Sequence, residues 1–382
     1  MIIGIDIGSS TIRAISCIHK EDSRLPTVLA VYKKQIEGIE RGNVSDIDDV
    51  SDAVLDAVAT LEEETNQSAT DTLISISGSH LTSHHASGYA QVTRGDSAIT
   101  DLDIDNAIKD AEKGIPDVRN KTIIHPIPIR YKIDGHDTTG NILGLHGNKI
   151  EVKTLFITCS KNSTQNLKDS LDKAQIRVTD IVAGPIAESI PLLTKKQKMA
   201  GVLLLNIGSQ TTSLLVYENN TPILISIIPV GGDDITKDLA LGLKVPMEEA
   251  EEIKCGRVEK NFSKRRIEEI IEARIEDLCA KINKELDRIN RRELLPAGVV
   301  VCGGTSRIER LDYMLRNDLK LPIKITKDEL SRITGNTLND TSWARAYGLT
   351  FLAPKDSEKE VLKELLTSMI IHVKRFFVQF LP

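Results

Sequence analysis

Two stretches two hundred residues apart share one design, and they constrain the fold more than any other feature of the chain. The first is Ile5-Asp6-Ile7-Gly8-Ser9-Ser10-Thr11. The second is Leu205-Asn206-Ile207-Gly208-Ser209-Gln210-Thr211. Each reads as an apolar strand, a tight turn of small hydroxyl-bearing residues, and a second apolar strand. Asn206 falls where Asp6 stood, Gly208 at Gly8, Ser209 at Ser9 and Thr211 at Thr11. Repetition at this range implies two related half-molecules, each offering one hairpin. The N–H groups of such a turn form an anion-binding nest, and a carboxylate at the strand end can hold a cation. Together these suit a metal-bound phosphate.

Three further segments bear on the same chemistry. Val299-Val300-Val301-Cys302-Gly303-Gly304-Thr305-Ser306-Arg307 is an apolar strand opening through two glycines, which lets backbone approach a flat ligand; Arg307 can stack on a base. Gly231-Gly232-Asp233-Asp234 opens a predicted helix, putting N–H groups and a positive dipole end beside an anion. Glu251 and Lys254 sit three apart on one helix face. Such charge runs are ordinarily solvated, but these neighbours favour a binding role.

In this order the segments resemble the ATPase core shared by actin, hexokinase-type sugar kinases and the seventy-kilodalton heat-shock chaperones. Within that group the resemblance is closer to the FtsA family of bacterial cell-division actin homologues. It implies an α/β chain with a two-lobed actin-like ATPase fold, built of duplicated ribonuclease-H-like domains with an FtsA-type inserted subdomain. The first-lobe core is expected at 1–83 and 163–197, and the insertion at 84–162. The second-lobe core is expected at 198–232 and 299–353, with a helical subdomain at 233–298. A linker is expected at 354–364 and an amphipathic membrane helix at 365–382. The resemblance also implies ATP and Mg²⁺ between the lobes. Asp6 would orient the metal. Gly8, Ser9, Ser10 and Thr11 would grip the phosphates from one side, and Asn206, Gly208, Ser209, Gln210, Thr211, Gly231 and Gly232 from the other. Glu251, Lys254, Gly303, Gly304, Thr305 and Arg307 would surround the adenosine. Hydrolytic relatives commonly carry Asp where Asn206 stands. Asn is neither a base nor a strong cation ligand, so turnover is expected to be weak at most, with binding mattering more.

Composition excludes some alternatives. Net charge is −6, which argues against nucleic-acid binding through bulk electrostatics. The five cysteines are scattered without a CxxC pair, which fits free thiols rather than disulfides or zinc. His80, His84 and His85 invite a metal reading, but no nearby Cys or acid completes a ligand set, and a polar connection is expected. Met1 runs directly into a strand, so no signal peptide is expected, and no apolar run is long enough to span a bilayer.

Elsewhere the pattern predicts a helix over Val50, Val54, Leu55, Val58 and Leu61, and a helix capped at Thr100. It predicts strands at Thr122–Pro128, Ile129–Ile133 and Lys149–Cys159, a long amphipathic helix over 263–290, and a last core helix at Trp343–Leu352. Beyond a polar linker the tail turns periodic. Leu365, Met369, Ile370, Val373, Phe376, Phe377, Phe380 and Leu381 form an apolar sector flanked by Lys374 and Arg375. This pattern suits a helix lying in the plane of an anionic membrane. The resemblance implies a place on the cytoplasmic face of the bacterial inner membrane at the division site. It implies actin-like filaments of the chain with itself, contacts with other division proteins, and tethering of the FtsZ C-terminal peptide, for which Arg274 and Lys260 are the candidate contacts. A pilus-assembly scaffold or a small-molecule kinase of the same superfamily are the other readings. A kinase needs an acidic base and a sugar-binding loop, and neither is evident in the sequence.

Overall fold

The computed structural model describes residues 1–20, 23, 25–138, 140–257 and 262–353. The chain opens with an antiparallel meander of β1 (Ile2–Ile7), β2 (Thr11–Ile18) and β3 (Thr27–Gln35). A small hairpin of β4 (Ile39–Glu40) and β5 (Asn43–Val44) leads to α1 (Ile47–Thr65), and β6 (Asp71–Ile76) returns parallel to β1. Next come β7 (Thr82–Gln91), α2 (Asp101–Glu112), β8 (Lys121–Ile133), β9 (His136–Thr138) and β10 (Lys149–Ser160). Then α3 (Lys161–Lys173), β11 (Asp180–Ala183) and α4 (Gly184–Leu192) complete the first half. After α5 (Lys195–Ala200) the second half runs β12 (Val202–Ile207), β13 (Thr212–Glu218), β14 (Thr221–Ile228), α6 (Gly232–Leu243), α7 (Met247–Lys254) and α8 (Lys264–Arg288). It closes with β15 (Val299–Cys302), α9 (Leu311–Leu319), β16 (Ile323–Ile325), α10 (Glu329–Ile333) and α11 (Ala344–Thr350).

The repeat seen in the sequence is a repeat of topology. The first sheet has the order β11-β6-β1-β2-β3, and β16-β15-β12-β13-β14 repeats it in the second half with the same strand directions. The register repeats as well: Asp6 pairs with Arg13 and Ile7 with Ile12, while Asn206 pairs with Ser213 and Ile207 with Thr212. β1 is buried along its whole length and β12 nearly so, so both central strands are apolar without alternation, as strands covered on two faces must be. This duplicated α/β arrangement is the two-lobed plan expected from the sequence.

The 80–160 region forms its own core from Ile99, Ile108, Ile150, Val152 and Phe156. Its sheet joins the second half edge to edge. Thr82 pairs with Ser226, the Ser83 hydroxyl bonds both the N–H and the carbonyl of Ile225, and a ring nitrogen of His85 lies 2.9 Å from the Ile223 carbonyl. Two of the three suspect histidines are thereby structural, with His84 2.8 Å from the Lys121 ammonium.

Local signals explain most element boundaries. Asp46 caps α1 by accepting from the N–H groups of Asp48 and Asp49, and Thr100 and Asp103 form a capping box on α2. Val50, Val54, Val58 and Leu61 of α1 are buried, but Leu55 is exposed: it lies one position beyond the stripe and faces solvent. The two strands expected at 122–133 are one. β8 carries Pro126 and Pro128 opposite Phe156 and Thr154, and β9 covers only residues 131–133 on the other side. The prolines therefore sit where no second neighbour needs their missing N–H, and register shifts that leave Ile129 and Ile124 of β8 unpaired with β10 absorb the misfit. The final helix is shorter than expected, with a 3₁₀ turn over Thr341–Trp343 before α11.

α4 and α11 cross beneath the space between the two sheets. Gly348 makes the crossing possible, since a Cβ there would lie 1.9 Å from the Ala187 carbonyl oxygen. Gly348→Ala should therefore destabilise the fold by about 3 kcal/mol, because backbone, not a side chain, must move. Denaturant titration of the variant checks this, and an unchanged midpoint would contradict the crossing.

Candidate functional site

The two glycine turns close in the same way. The Gly8 N–H donates to the Thr11 carbonyl at 3.1 Å, and the Gly208 N–H to the Thr211 carbonyl at 2.9 Å. The second turn is also bonded to its surroundings. The Gly208 carbonyl accepts from the Gly232 N–H and the Thr305 hydroxyl, both at 2.9 Å, and the Ser209 carbonyl accepts from the Asp233 N–H at 2.7 Å. The turn, the start of α6 and the glycine pair after β15 are thus held as one body. Asp234 caps α6 by accepting from the Gly231 N–H at 2.9 Å. Gly303 has φ of +92°, a left-handed conformation that glycine adopts without strain.

These elements enclose a cleft of about 500 Å³. Asp6, Gly8, Ser9, Ser10, Thr11, Asn206, Gly208, Ser209, Thr211, Gly232, Glu251, Lys254, Gly303, Gly304, Thr305 and Arg307 all line it. Gly231 and Gln210 stand back from the wall. The Gly231 N–H belongs to the helix cap, while the Gln210 side-chain carbonyl crosses to the first half and accepts from the Arg41 N–H at 2.7 Å. Gln210 is therefore a clasp between the halves rather than a phosphate contact.

The outer wall is made of paired charges. Lys254 lies 2.6 Å from the Glu251 carboxylate and donates to the Thr236 hydroxyl at 2.9 Å and the Gly232 carbonyl at 3.2 Å. Burial pushes the Glu251 carboxyl up, but the bonds from Lys254 and Thr236 outweigh it and hold it below its ordinary value. Arg307, largely exposed, pairs with Asp340 at 2.6 Å.

The floor holds residues that no motif announced. Arg345 on α11 donates to Asp6 at 3.3 Å, to Ser77 at 3.1 Å and to Glu188 on α4 at 3.3 Å. Asp6 accepts from Ser75 at 2.7 Å, and Asn206 donates to Glu188 at 2.5 Å. Arg13 lines the same floor, opposite Asp6 in the β1–β2 register. Burial raises the Glu188 carboxyl and lowers the Arg13 guanidinium. Burial also opposes the Arg345 charge, but the Asp6 and Glu188 carboxylates hold that guanidinium well above its ordinary value. One signal could have found these groups: each is a lone charge in an apolar run, and charged residues in cores are paired.

A nucleoside triphosphate fits this cleft. Two glycine turns and the N-terminus of α6 meet there, five basic side chains line it against four acidic ones, and Arg13 Nε and Arg345 Nε are buried without a hydrogen-bond partner. A divalent cation at Asp6 fits poorly. The Asp6 Oδ1 already accepts from Arg345 and Ser75, and its counterpart Asn206 is neutral and turned to Glu188.

Arg274, expected as a partner contact, is already engaged within the chain. It forms a bidentate pair with Asp238 of α6 at 2.6 and 2.9 Å and reaches Asp277 at 3.3 Å. Lys260 and the tail residues 354–382 lie outside the described residues.

Comparison with known proteins agrees with this geometry. The family model described as cell division protein FtsA matches residues 203–348, and that of the SHS2 domain inserted in FtsA matches residues 78–158. The chain is 26% identical to FtsA of Pseudomonas aeruginosa over 347 residues, covering 85% of this chain and 82% of that protein. It is 23% identical to FtsA of Escherichia coli K12, covering 98% and 96%. Among solved structures, a chain of the PilM–PilN type IV pilus biogenesis complex superposes with a TM-score of 0.69 at 16% identity, covering 92% and 98%. MreB5 of Spiroplasma citri bound to ADP superposes at 0.54 with 12% identity, covering 96% and 98%.

The floor explains why position 206 carries an amide. Asp there would remove the donor to Glu188 and set two carboxylates in contact. Asn206→Asp should cost about 3 kcal/mol near pH 8. The new pair would share a proton with a raised pKa, so the penalty should shrink as the pH falls toward about 5.5. Thermal unfolding of both proteins across this range checks it, and a penalty that grew on acidification would contradict it.

Proposed function

The chain belongs to the FtsA family of cell-division proteins, and on that premise we propose that it is an ATP-binding, actin-like assembly factor that works on the membrane at the division site. The observation that carries this reading is the meeting of two glycine turns, one from each half, with the N-terminus of α6 around one cleft. A triphosphate seated there touches both halves at once, so its occupancy sets how they sit relative to each other. Its chain of phosphates would lie against Ser9, Ser10, Thr11, Gly208, Ser209 and Thr211, with adenosine beside Glu251, Lys254, Gly303, Gly304 and Arg307. The solved MreB5 is bound to ADP on the same kind of fold.

Turnover is slow in this reading. Three of the cleft's four carboxylates, Asp6, Glu188 and Glu251, are committed to Arg345, Ser75 and Lys254, the fourth, Asp233, stands at the start of α6, and Asn206 cannot take a proton from water. Occupancy, rather than hydrolysis, then drives self-association into actin-like filaments. Residues 365–382 hold those filaments on anionic lipid at the cytoplasmic face of the inner membrane, through Leu365, Met369, Ile370, Val373, Phe376, Phe377, Phe380 and Leu381 flanked by Lys374 and Arg375. The FtsZ C-terminal peptide docks beside α8, where an acidic group exchanges for Asp238 on Arg274, with Lys260 as a second contact. The likeness to PilM carries the fold alone, and the tail separates the two readings.

Vesicle co-sedimentation of the full chain and of a chain ending before Ser357 tests the tether, with and without ATP. The full chain should pellet with vesicles containing anionic lipid, more so with ATP, and the shortened chain should stay in solution. Pelleting that survives the truncation would refute the anchor.

A further inference from the structure

We propose that the Arg345 guanidinium takes the place of the divalent cation in the cleft, so that this protein binds nucleoside triphosphate without a metal ion. The inference rests on the nucleotide reading of the same cleft and adds to it what neutralises the phosphates.

The geometry is that of a built-in group. Arg345 reaches three acceptors at once: Asp6 Oδ1 at 3.3 Å, Ser77 Oγ at 3.1 Å and Glu188 Oε2 at 3.3 Å. Its side chain is 11% exposed. The backbone makes room for it, since a Cβ on Gly184 would lie 2.8 Å from its Cδ and 2.9 Å from its Nε. An arginine held on three sides, with glycine cut away behind it, is a fixed part of the floor rather than a surface side chain swung inward.

Charge points the same way. The floor has two carboxylates, Asp6 and Glu188, and two guanidiniums, Arg345 and Arg13. Its formal charge is already zero before any ligand enters. A nucleotide's dication is held by one or two carboxylates together with the phosphates, and the duplication offered a second carboxylate position at 206, where the chain carries the amide of Asn206 instead. A dication beside Asp6 would face the Arg345 guanidinium and compete for a carboxylate whose Oδ1 Ser75 and Arg345 already hold. An incoming triphosphate, by contrast, meets a fixed guanidinium whose Nη2 donates to Glu188 and has a second N–H for a phosphate oxygen. A guanidinium supplies charge and hydrogen bonds but does not acidify a bound water as a metal does, which accords with slow turnover.

Isothermal titration of the full chain with ATP, in Mg²⁺ and separately in excess EDTA, tests this. The account predicts affinities within about threefold of one another. A loss of about tenfold or more in EDTA would overturn the inference while leaving the nucleotide reading intact. No binding in either buffer would overturn the nucleotide reading itself. Arg345→Gln, which keeps the chain length and a donor, should make binding depend on Mg²⁺ by about tenfold. A folded variant that bound ATP equally in both buffers would overturn the role assigned to Arg345. The wild-type comparison decides the matter even if the variant fails to fold.

Discussion

Arg345 is the residue on which the rest of the arrangement depends. It stands on α11, pairs with Glu188 on α4, and reaches Asp6 at the end of β1. Those three elements come from both halves, so one guanidinium fixes the crossing of the two connecting helices and the position of the first glycine turn. Both partners are almost fully buried, at 11% and 2% side-chain exposure. Breaking a pair of that kind by removing one member typically costs about 3–5 kcal/mol, because a charge is left without compensation. The same burial means that a packed apolar replacement of all members could stabilise the fold, so the cluster is better read as serving position and charge than bulk stability.

Around this floor the molecule is two copies of one plan that have diverged in chemistry. Both copies keep the strand order, the register and the turn hydrogen bond. They differ where the ligand would be felt. Asp6 faces Arg13 across its hairpin, while Asn206 faces Ser213. The first hairpin therefore brings charge to the cleft and the second brings neutral donors. Beside the second stand the N-terminus of α6 and the α7 ion pair. Gln210 clasps the halves at the rim through Arg41, and Arg345 joins them below, which leaves the cleft open between two fixed points.

Much of this was legible in the chain. A six-residue apolar run ending in Asp-Ile-Gly or Asn-Ile-Gly is a local signal, and so are Gly231-Gly232 and Gly303-Gly304, because backbone requirements leave their mark on neighbouring residues. What stayed hidden depends on long-range pairing. Glu188 and Arg345 lie 157 residues apart, and Arg345 and Asp6 lie 339 apart, so neither partner marks the other. Gln210 sits inside a phosphate-turn motif yet spends its side chain on Arg41. Arg274 reads from the sequence as a partner contact, and only the packing of α8 on α6 brings Asp238 to it. β8 runs unbroken through Pro126 and Pro128 because an open edge tolerates proline, and nothing local to those residues shows that the edge is open.

The central claim is that a fixed guanidinium, not a metal, balances the floor of the cleft. A crystal structure of the full chain with a non-hydrolysable ATP analogue, grown in Mg²⁺, tests it most directly. The account predicts Arg345 still bonded to Asp6 and Glu188, its guanidinium within hydrogen-bonding reach of a phosphate oxygen, and no ion between Asp6 and the phosphates. An octahedral ion there, with ligands at about 2.1 Å and Arg345 displaced from Asp6, would contradict it.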